Sequence, residues 1–211
     1  MTRRRSIALT MVVGALVLSG CATAAPGPES TASDPAPTPT AEQPSPSPTS
    51  DAGVDPADPS SWAVTGNGIG PVQLGGDFDA TLAELPDSWM NDDNCSWMAW
   101  WNAEDQSYLV NFLRDAESDD ASIVLASASA ADPVEAGVGP RTEDGLGIGS
   151  TRDEVLEQHP DAGEGEAPIG DGTWLSVPSG ESTVFFEFYG GDQVNAVTVT
   201  SLDQPPYESC G

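Results

Sequence analysis

Hydrophobic residues are distributed unevenly along the 211-residue chain. A continuous apolar run, Ile7–Leu18, is followed by a long polar stretch in which Val54 is the only larger apolar side chain. Beyond that stretch, short runs of β-branched and aromatic residues alternate with glycine-rich and acidic turns. The pattern predicts a signal peptide, a disordered linker and one folded domain, at residues 1–20, 21–60 and 61–211 respectively.

Strands are predicted in both halves of this domain. The first half contains two apolar runs, Tyr108–Leu113 and Ser122–Leu125, on either side of a polar turn. The second half contains Thr183–Tyr189 and Val194–Thr200, separated by a Gly-Gly turn that favours a hairpin. A further strand is predicted at Thr173–Val177.

A repeated motif predicts one short helix in each half. The segments Gly75–Asp87 and Gly149–Asp161 share the pattern G-x-x-x-D-x-x-L-x-x-x-P-D at a constant offset of 74 residues. In each copy a glycine turn precedes a polar cap, and a proline ends the helix. Thr151 and Glu154 have the spacing of a capping box, which places the start of the second helix near Arg152.

These elements predict an α+β fold made of two tandem repeats, at about 61–138 and 139–211. Each repeat is a short helix followed by antiparallel strands, and the two repeats share one sheet. A domain of this length buries about 70% of its unfolded surface, which is enough for a single core.

The N-terminal region has the pattern of an export signal. Three arginines at 3–5 precede the apolar run, and Leu18-Ser19-Gly20-Cys21 ends it. This ending resembles the lipobox of bacterial lipoproteins, which implies removal of residues 1–20 and a diacylglyceryl group on Cys21. The apolar run is shorter than the roughly 20 residues that span a membrane. The alternative is a plain secretory signal that ends at Ala24 or Ala25 and discards Cys21.

We therefore expect the mature protein at the extracytoplasmic face of the cell membrane, held there by the lipid on Cys21. The linker at 21–60 is rich in proline, serine, threonine and alanine, and it has too little apolar surface to fold. We expect it to act as a stalk between the lipid and the domain.

The charge of the chain excludes one class of partner. Three of the six basic residues lie in the signal, which leaves Arg114, Arg141 and Arg152 against 34 acidic residues, a net charge near −31. Such a surface repels phosphate backbones, so nucleic acid is excluded as a partner. A protein partner with a basic face would be attracted to it.

Once Cys21 is assigned to lipid, Cys95 and Cys210 remain as a pair on the oxidising side of the membrane. A disulfide between them is the default there. It closes a loop of more than one hundred residues, which the chain-entropy model values at about 4–5 kcal/mol. The alternative, free or metal-bound thiols, lacks the further ligands that a zinc site requires.

The two repeats open with the glycine-rich segments Gly68–Gly75 and Asp144–Gly149. These openings resemble the repeat of β-lactamase inhibitor proteins and of the small outer-membrane lipoproteins of the barrel-assembly machinery. The resemblance implies short helices packed on an antiparallel sheet, and in the inhibitor family a concave, aromatic-rich sheet face grips an enzyme. No inhibitory contact residue is matched by motif. The positions that carry the resemblance are Gly75, Asp79, Leu82, Gly145, Gly149, Thr151, Glu154 and Val155.

Four tryptophans surround Cys95, at positions 89, 97, 100 and 101. In an extended strand, Trp97 and Trp101 share the face of the disulfide and Trp100 points the other way. One interpretation packs these rings over the disulfide and the adjacent helix. The other makes Trp97, Trp100 and Trp101 anchors for a protein or glycan partner, with Trp100 the exposed one.

Other chemistry is weakly indicated. His159 is the only histidine and is predicted to lie at a helix end. Acidic residues at 92–93, 117–120 and 171 could bind calcium, but none has a known motif spacing, and we predict no metal and no cofactor. With this many carboxylates, a hydrolase of cell-wall glycans that uses an acid pair is the enzymatic alternative.

The sequence thus favours a non-enzymatic binding module on a lipid anchor, with an unassigned ligand. The alternatives that stay open are the carboxylate-dependent hydrolase, a protein inhibitor of an exported enzyme, and a structural component of the envelope.

Overall fold

The computed structural model describes residues 54–115, 121–130 and 134–210. The signal, Cys21, most of the linker and the acidic residues 117–120 lie outside these ranges. The described residues form an α+β fold with antiparallel sheets, which confirms the predicted class.

Two short α-helices, one turn of 3-10 helix (Pro59–Ser61) and eleven strands are present in the described ranges. In chain order the α-helices and strands are β1 (Val64–Thr65), β2 (Gly68–Ile69), β3 (Val72–Gln73), α1 (Phe78–Glu84), β4 (Met90–Asp92), β5 (Cys95–Asn102), β6 (Leu109–Arg114), β7 (Ile123–Ser129), α2 (Arg152–Gln158), β8 (Gly163–Glu166), β9 (Thr173–Ser179), β10 (Ser182–Phe188) and β11 (Ala196–Thr200).

The strands form one small and one large sheet. The small sheet has the order β1-β2-β3, and the large sheet has the order β4-β5-β6-β7-β11-β10-β9-β8. All of the paired strands are antiparallel. The strands that follow α1 and those that follow α2 therefore meet at the centre of the large sheet, where β7 pairs with β11.

Both helices begin and end as their local sequence predicts. Asp77 caps α1 by accepting a hydrogen bond from the Ala80 backbone N–H at 2.8 Å. Thr151 and Glu154 form the predicted capping box, so α2 begins at Arg152. Each helix has seven residues, and no helix in the described part of the chain is long and apolar enough to cross a membrane.

The predicted strands are confirmed with shifted ends, and six strands are additional. Those are β1 to β4 and β8, which the sequence did not predict, and β5. For β5 the sequence analysis assumed an extended strand but did not predict one. The two edge strands, Met90–Asp92 and Gly163–Glu166, are polar and show no apolar alternation. Their place in the sheet comes from backbone pairing with a neighbour, which has no signature in side-chain hydropathy.

The core lies between one face of the large sheet and the elements that cover it. Register places Trp101, Val110, Ala128, Val197, Phe186 and Leu175 in one row across this face. Phe78 of α1 packs on Phe112 with ring centroids 5.0 Å apart. Trp89 also belongs to this core and stacks on Trp62 at 5.9 Å.

Candidate functional site: a cleft beside the disulfide

The disulfide predicted between Cys95 and Cys210 is present. The S–S distance is 1.96 Å, the Cα atoms are 5.5 Å apart, and the two cysteines are 115 positions apart in the sequence. Cys95 begins β5 and is buried, whereas Cys210 lies near the end of the chain and is exposed. The bond therefore fastens the residues that follow β11 to strand β5 of the large sheet.

The residues after β11, Ser201–Cys210, form a segment without regular structure that we call the C-terminal strap. It starts beside β7, where the Ser201 backbone N–H donates to the Val124 carbonyl at 3.1 Å. It ends beside β5, where the Trp97 indole N–H donates to the Ser209 carbonyl at 2.6 Å. Since β7 and β6 lie between β11 and β5, the strap passes over the ends of both strands.

A cleft of about 330 Å³ opens between the strap and these strand ends. Most of its lining is apolar, and its charged residues are Arg114, Asp115 and Glu208. Leu202 is 41% exposed, so the cleft has an apolar lip in contact with solvent. The apolar side chains come from the strap and from β5, β6 and β7: Trp97, Leu113, Val124, Leu125, Leu202 and Pro206.

The three candidate tryptophans do not form one surface. Trp97 lines the cleft beside the disulfide, as the face assignment predicted. Trp101 instead packs against the core, 5.7 Å from the Tyr108 ring, so its predicted place on the face of the disulfide is wrong. The alternation fails because the pairing of β4 with β5 shifts register between Asn91 and Asp92.

The prediction that Trp100 is the exposed ring is also wrong. Trp100 is half-buried, because β4 pairs alongside it and places Met90 directly opposite. The exposed large hydrophobic residues in the described ranges are Met90, Ile169, Tyr189 and Leu202. Leu202 was missed because it follows the last strand in a segment that has no periodicity.

A buried polar network lies on the same side of the sheet as the strap. Glu187 is 3% exposed, and Thr198 donates a hydrogen bond to its Oε1 at 2.6 Å. Tyr189 donates its hydroxyl hydrogen to Oε2. Since the Thr198 hydroxyl has one hydrogen, the 2.9 Å contact with Ser127 must be donated by Ser127.

Burial raises the pKa of Glu187, although the hydrogen bonds from Thr198 and Tyr189 oppose the shift. Burial also raises the pKa of Tyr207 in the strap to about 12, and the negative charge of Glu187 adds to the effect. The Tyr207 hydroxyl is buried without a hydrogen-bond partner in the described part of the chain. The strap therefore covers the region of the sheet that contains Glu187, a buried carboxyl group with a raised pKa.

His159 follows α2 directly, as predicted, and its Nε2 lies 3.1 Å from Asp144 Oδ2. The pair lines a second cavity of about 390 Å³, whose walls include Phe186.

A third cavity, of about 510 Å³, has Arg141 in its lining. That guanidinium donates to the carbonyls of Gly145 and Ile148, which fixes its position against the turn before α2.

Of the acidic residues considered for calcium, Asp92 has its contacts within its own turn. Asp92 accepts hydrogen bonds from the backbone and side chain of Asn94. Within residues 54–115, 121–130 and 134–210, no group of three or more His, Cys, Asp or Glu side chains could hold a metal ion.

No protein-family model matches the chain, and no curated protein sequence matches it. A DUF4309 family protein (YjgB) from Bacillus subtilis subsp. subtilis str. 168 is similar in structure, with 13% identity and a TM-score of 0.40 over 62% of this chain and 79% of that one. An extracellular protein containing a SCP domain from Bacillus anthracis str. Ames has 17% identity and a TM-score of 0.36, over 60% and 43%. At these TM-scores neither likeness carries an argument about function.

Proposed function

We propose that this protein is a lipid-anchored, extracytoplasmic binding module that takes an apolar side chain of a protein partner into the cleft beside its disulfide. The observation that carries the proposal is the apolar cleft of about 330 Å³ with Leu202 at its lip. Concave apolar sites with a few polar groups at the rim are the usual form of a binding site.

The lining favours an apolar side chain over a glycan. Protein sites that bind sugars need polar groups to satisfy the many hydroxyls, whereas most of this lining is apolar and the Trp97 indole N–H is already bonded to the Ser209 carbonyl. Trp97 therefore offers its ring and not its donor. Aromatic and aliphatic anchors in a desolvated pocket are typical of protein–protein hot spots.

The charge of the chain supports a partner whose surface is basic around that apolar side chain. With 34 acidic residues and three arginines outside the signal, the protein attracts cations over a range set by the ionic strength. At the cleft itself, the Glu208 carboxylate is a negative charge that a basic residue of the partner could pair with.

The anchor in this proposal is the lipid on Cys21, supported by the lipobox and by the basic and apolar residues before it. Mass spectrometry of the membrane-bound protein is expected to find residues 1–20 absent and the Cys21 thiol acylated. The Cys21→Ser variant is expected in the soluble fraction. An unmodified thiol on the membrane-bound protein would refute the anchor.

The cleft is tested by one substitution and a matched control. Leu202→Asp places a carboxylate on the lip, and Ile169→Asp makes the same change at a residue that is 62% exposed and does not line the cleft. The full-length protein and both variants are crosslinked in membranes and recovered after solubilisation. A partner recovered with wild type and Ile169→Asp, but about tenfold less with Leu202→Asp, supports the cleft. Equal recovery with all three proteins would refute it.

We also propose that the domain arose from two copies of one unit, as the sequence repeat predicts. In support, α1 and α2 have equal length and begin 74 residues apart, at Phe78 and Arg152. Four strands follow each helix, and their order from the edge to the centre of the sheet is the same in both halves. Solved structures of the separate halves that superpose element by element would support the duplication, and halves with different folds would refute it.

The geometry of the described residues does not support the hydrolase alternative. Glu187 is the one buried carboxyl in the described ranges, and an acid pair needs a second within about 5–9 Å in an open cleft.

A further inference from the structure

The C-terminal strap forms one wall of the cleft, and its position depends on the disulfide. Leu202, Pro206, Glu208 and Ser209 of the strap all line the cleft. Pro205 and Pro206 have no backbone N–H, so this stretch cannot pair with the sheet as a continuous strand. The far end of the strap is held by the covalent bond at Cys210, by the hydrogen bond from Trp97 and by the packing of Pro205 and Tyr207 on the sheet.

The two cysteines of this bond differ in their exposure to solvent. Cys95 is 5% exposed and lies against the sheet. Cys210 is an exposed residue, and its Sγ lies 3.4 Å from the Met98 sulfur. An attacking thiolate must approach a disulfide sulfur along the S–S axis, so the exposed Cys210 is the sulfur it can reach.

We propose that the Cys95–Cys210 disulfide is a reducible latch on the cleft, and that a dithiol reductant opens it. A thiolate of the reductant attacks Cys210 Sγ, the bond between the two cysteines breaks, and Cys95 leaves as a thiolate that takes a proton. The second thiol of the reductant then displaces Cys210 from the mixed disulfide. In sum, the two cysteines gain two electrons and two protons, and the dithiol becomes a disulfide.

Reduction removes the wall of the cleft that the strap supplies. Leu113 and Leu125 then face solvent as an open surface, and a side chain bound between them and the strap loses contacts on one side. The core face of the sheet is unaffected, because its row from Trp101 to Leu175 lies on the opposite side. In this way the redox state of one bond controls binding without unfolding the domain. This role rests on the proposed function of the cleft.

The opening itself is tested without a partner. The purified full-length protein is incubated with dithiothreitol in the absence of denaturant, and free cysteines are alkylated with iodoacetamide and located by mass spectrometry. Hydrogen exchange of residues 201–210 is compared with that of β6, β7, β10 and β11 before and after reduction. The Cys95→Ser/Cys210→Ser variant removes the latch without reductant and serves as the second sample.

We expect both cysteines to be alkylated and the amides of the strap to exchange at about the rate of an unstructured peptide, while the central strands keep clear protection at a level lowered by the lost cross-link. The double variant is expected to behave in the same way as the reduced protein. The latch is refuted by resistance to dithiothreitol, by a strap that stays protected after reduction, or by central strands that also exchange at the rate of an unstructured peptide. The last result would make the disulfide a support of the whole fold.

The role in binding is tested separately from the opening. Crosslinked partner is recovered from membranes that carry wild type, the double cysteine variant or Leu202→Asp. Loss of recovery with both variants supports the latch as a control of the cleft. If Leu202→Asp recovers as much partner as wild type while the strap still loosens on reduction, the proposed function fails and the redox opening stands. If Leu202→Asp loses the partner and the double variant keeps it, the control is refuted.

Discussion

Glu187 combines a carboxyl group, near-complete burial and hydrogen bonds from two hydroxyls. In the folded protein its pKa lies above the ordinary value of 4.5, because burial disfavours the charged form. The unfolded chain therefore releases this proton at lower pH than the folded one. As pH rises above about 4.5, the folded state loses stability relative to the unfolded state, until Glu187 has ionised in both.

Glu187→Gln removes that titration. We expect wild type to lose stability relative to the variant as the pH rises from 4 toward 7, by about 1.4 kcal/mol for each unit by which the pKa is raised. Urea denaturation of both proteins at several pH values measures the difference. A difference that is constant with pH would show that the Glu187 pKa is not raised.

The predicted and observed positions of the tryptophans show how far a sequence can place single side chains. The position of Trp97 beside the disulfide follows from its distance of two residues from Cys95. The burial of Trp100 could not be predicted, because it depends on β4, a three-residue polar strand. Leu202 could not be recognised as part of a site, because it lies in a segment without periodicity, and the predicted disulfide does not specify the path of that segment over the sheet.

Helix α2 has only seven residues, so its ends matter more than its propensity. Thr151 accepts a hydrogen bond from the Glu154 backbone N–H, and Glu154 accepts one from the Thr151 backbone N–H. Thr151→Ala removes the first of these bonds and is expected to lower the free energy of unfolding by about 1 kcal/mol.

Thr151→Ser keeps the hydroxyl and is the matched control. It is expected to unfold within a few tenths of a kcal/mol of wild type in urea. If both variants are equally destabilised, the methyl group of Thr151 and not its hydrogen bond stabilises the helix.

Among the elements, those with a local cause were predictable. Both helices carry their own caps and terminating prolines, and β9, β10 and β11 carry β-branched and aromatic residues. The strands at the edges and in the small sheet have two to four residues each, too few for any periodicity. Their formation depends on neighbours that are in place only once the chain has folded.

For the molecule as a whole, the disulfide closes a loop of 115 residues. The chain-entropy model assigns such a cross-link about 4–5 kcal/mol, by restricting the unfolded chain. We expect Cys95→Ser/Cys210→Ser to lower the free energy of unfolding by about this amount, measured by urea denaturation. Wild type reduced with dithiothreitol should match it. A loss below about 1 kcal/mol in both samples would show that strain in the folded state offsets the entropy.

The meeting of β7 and β11 at the centre of the sheet has a consequence for any attempt to divide the molecule. Every residue of β11 is buried, and its backbone partners on one side all belong to β7. A fragment that ends before α2 would leave β7 as an unpaired, largely apolar edge strand. A fragment that begins at α2 would leave β11 unpaired in the same way. Because open edges recruit other strands, we expect each fragment to associate with a second copy of itself, and light scattering would then report twice the mass of the fragment.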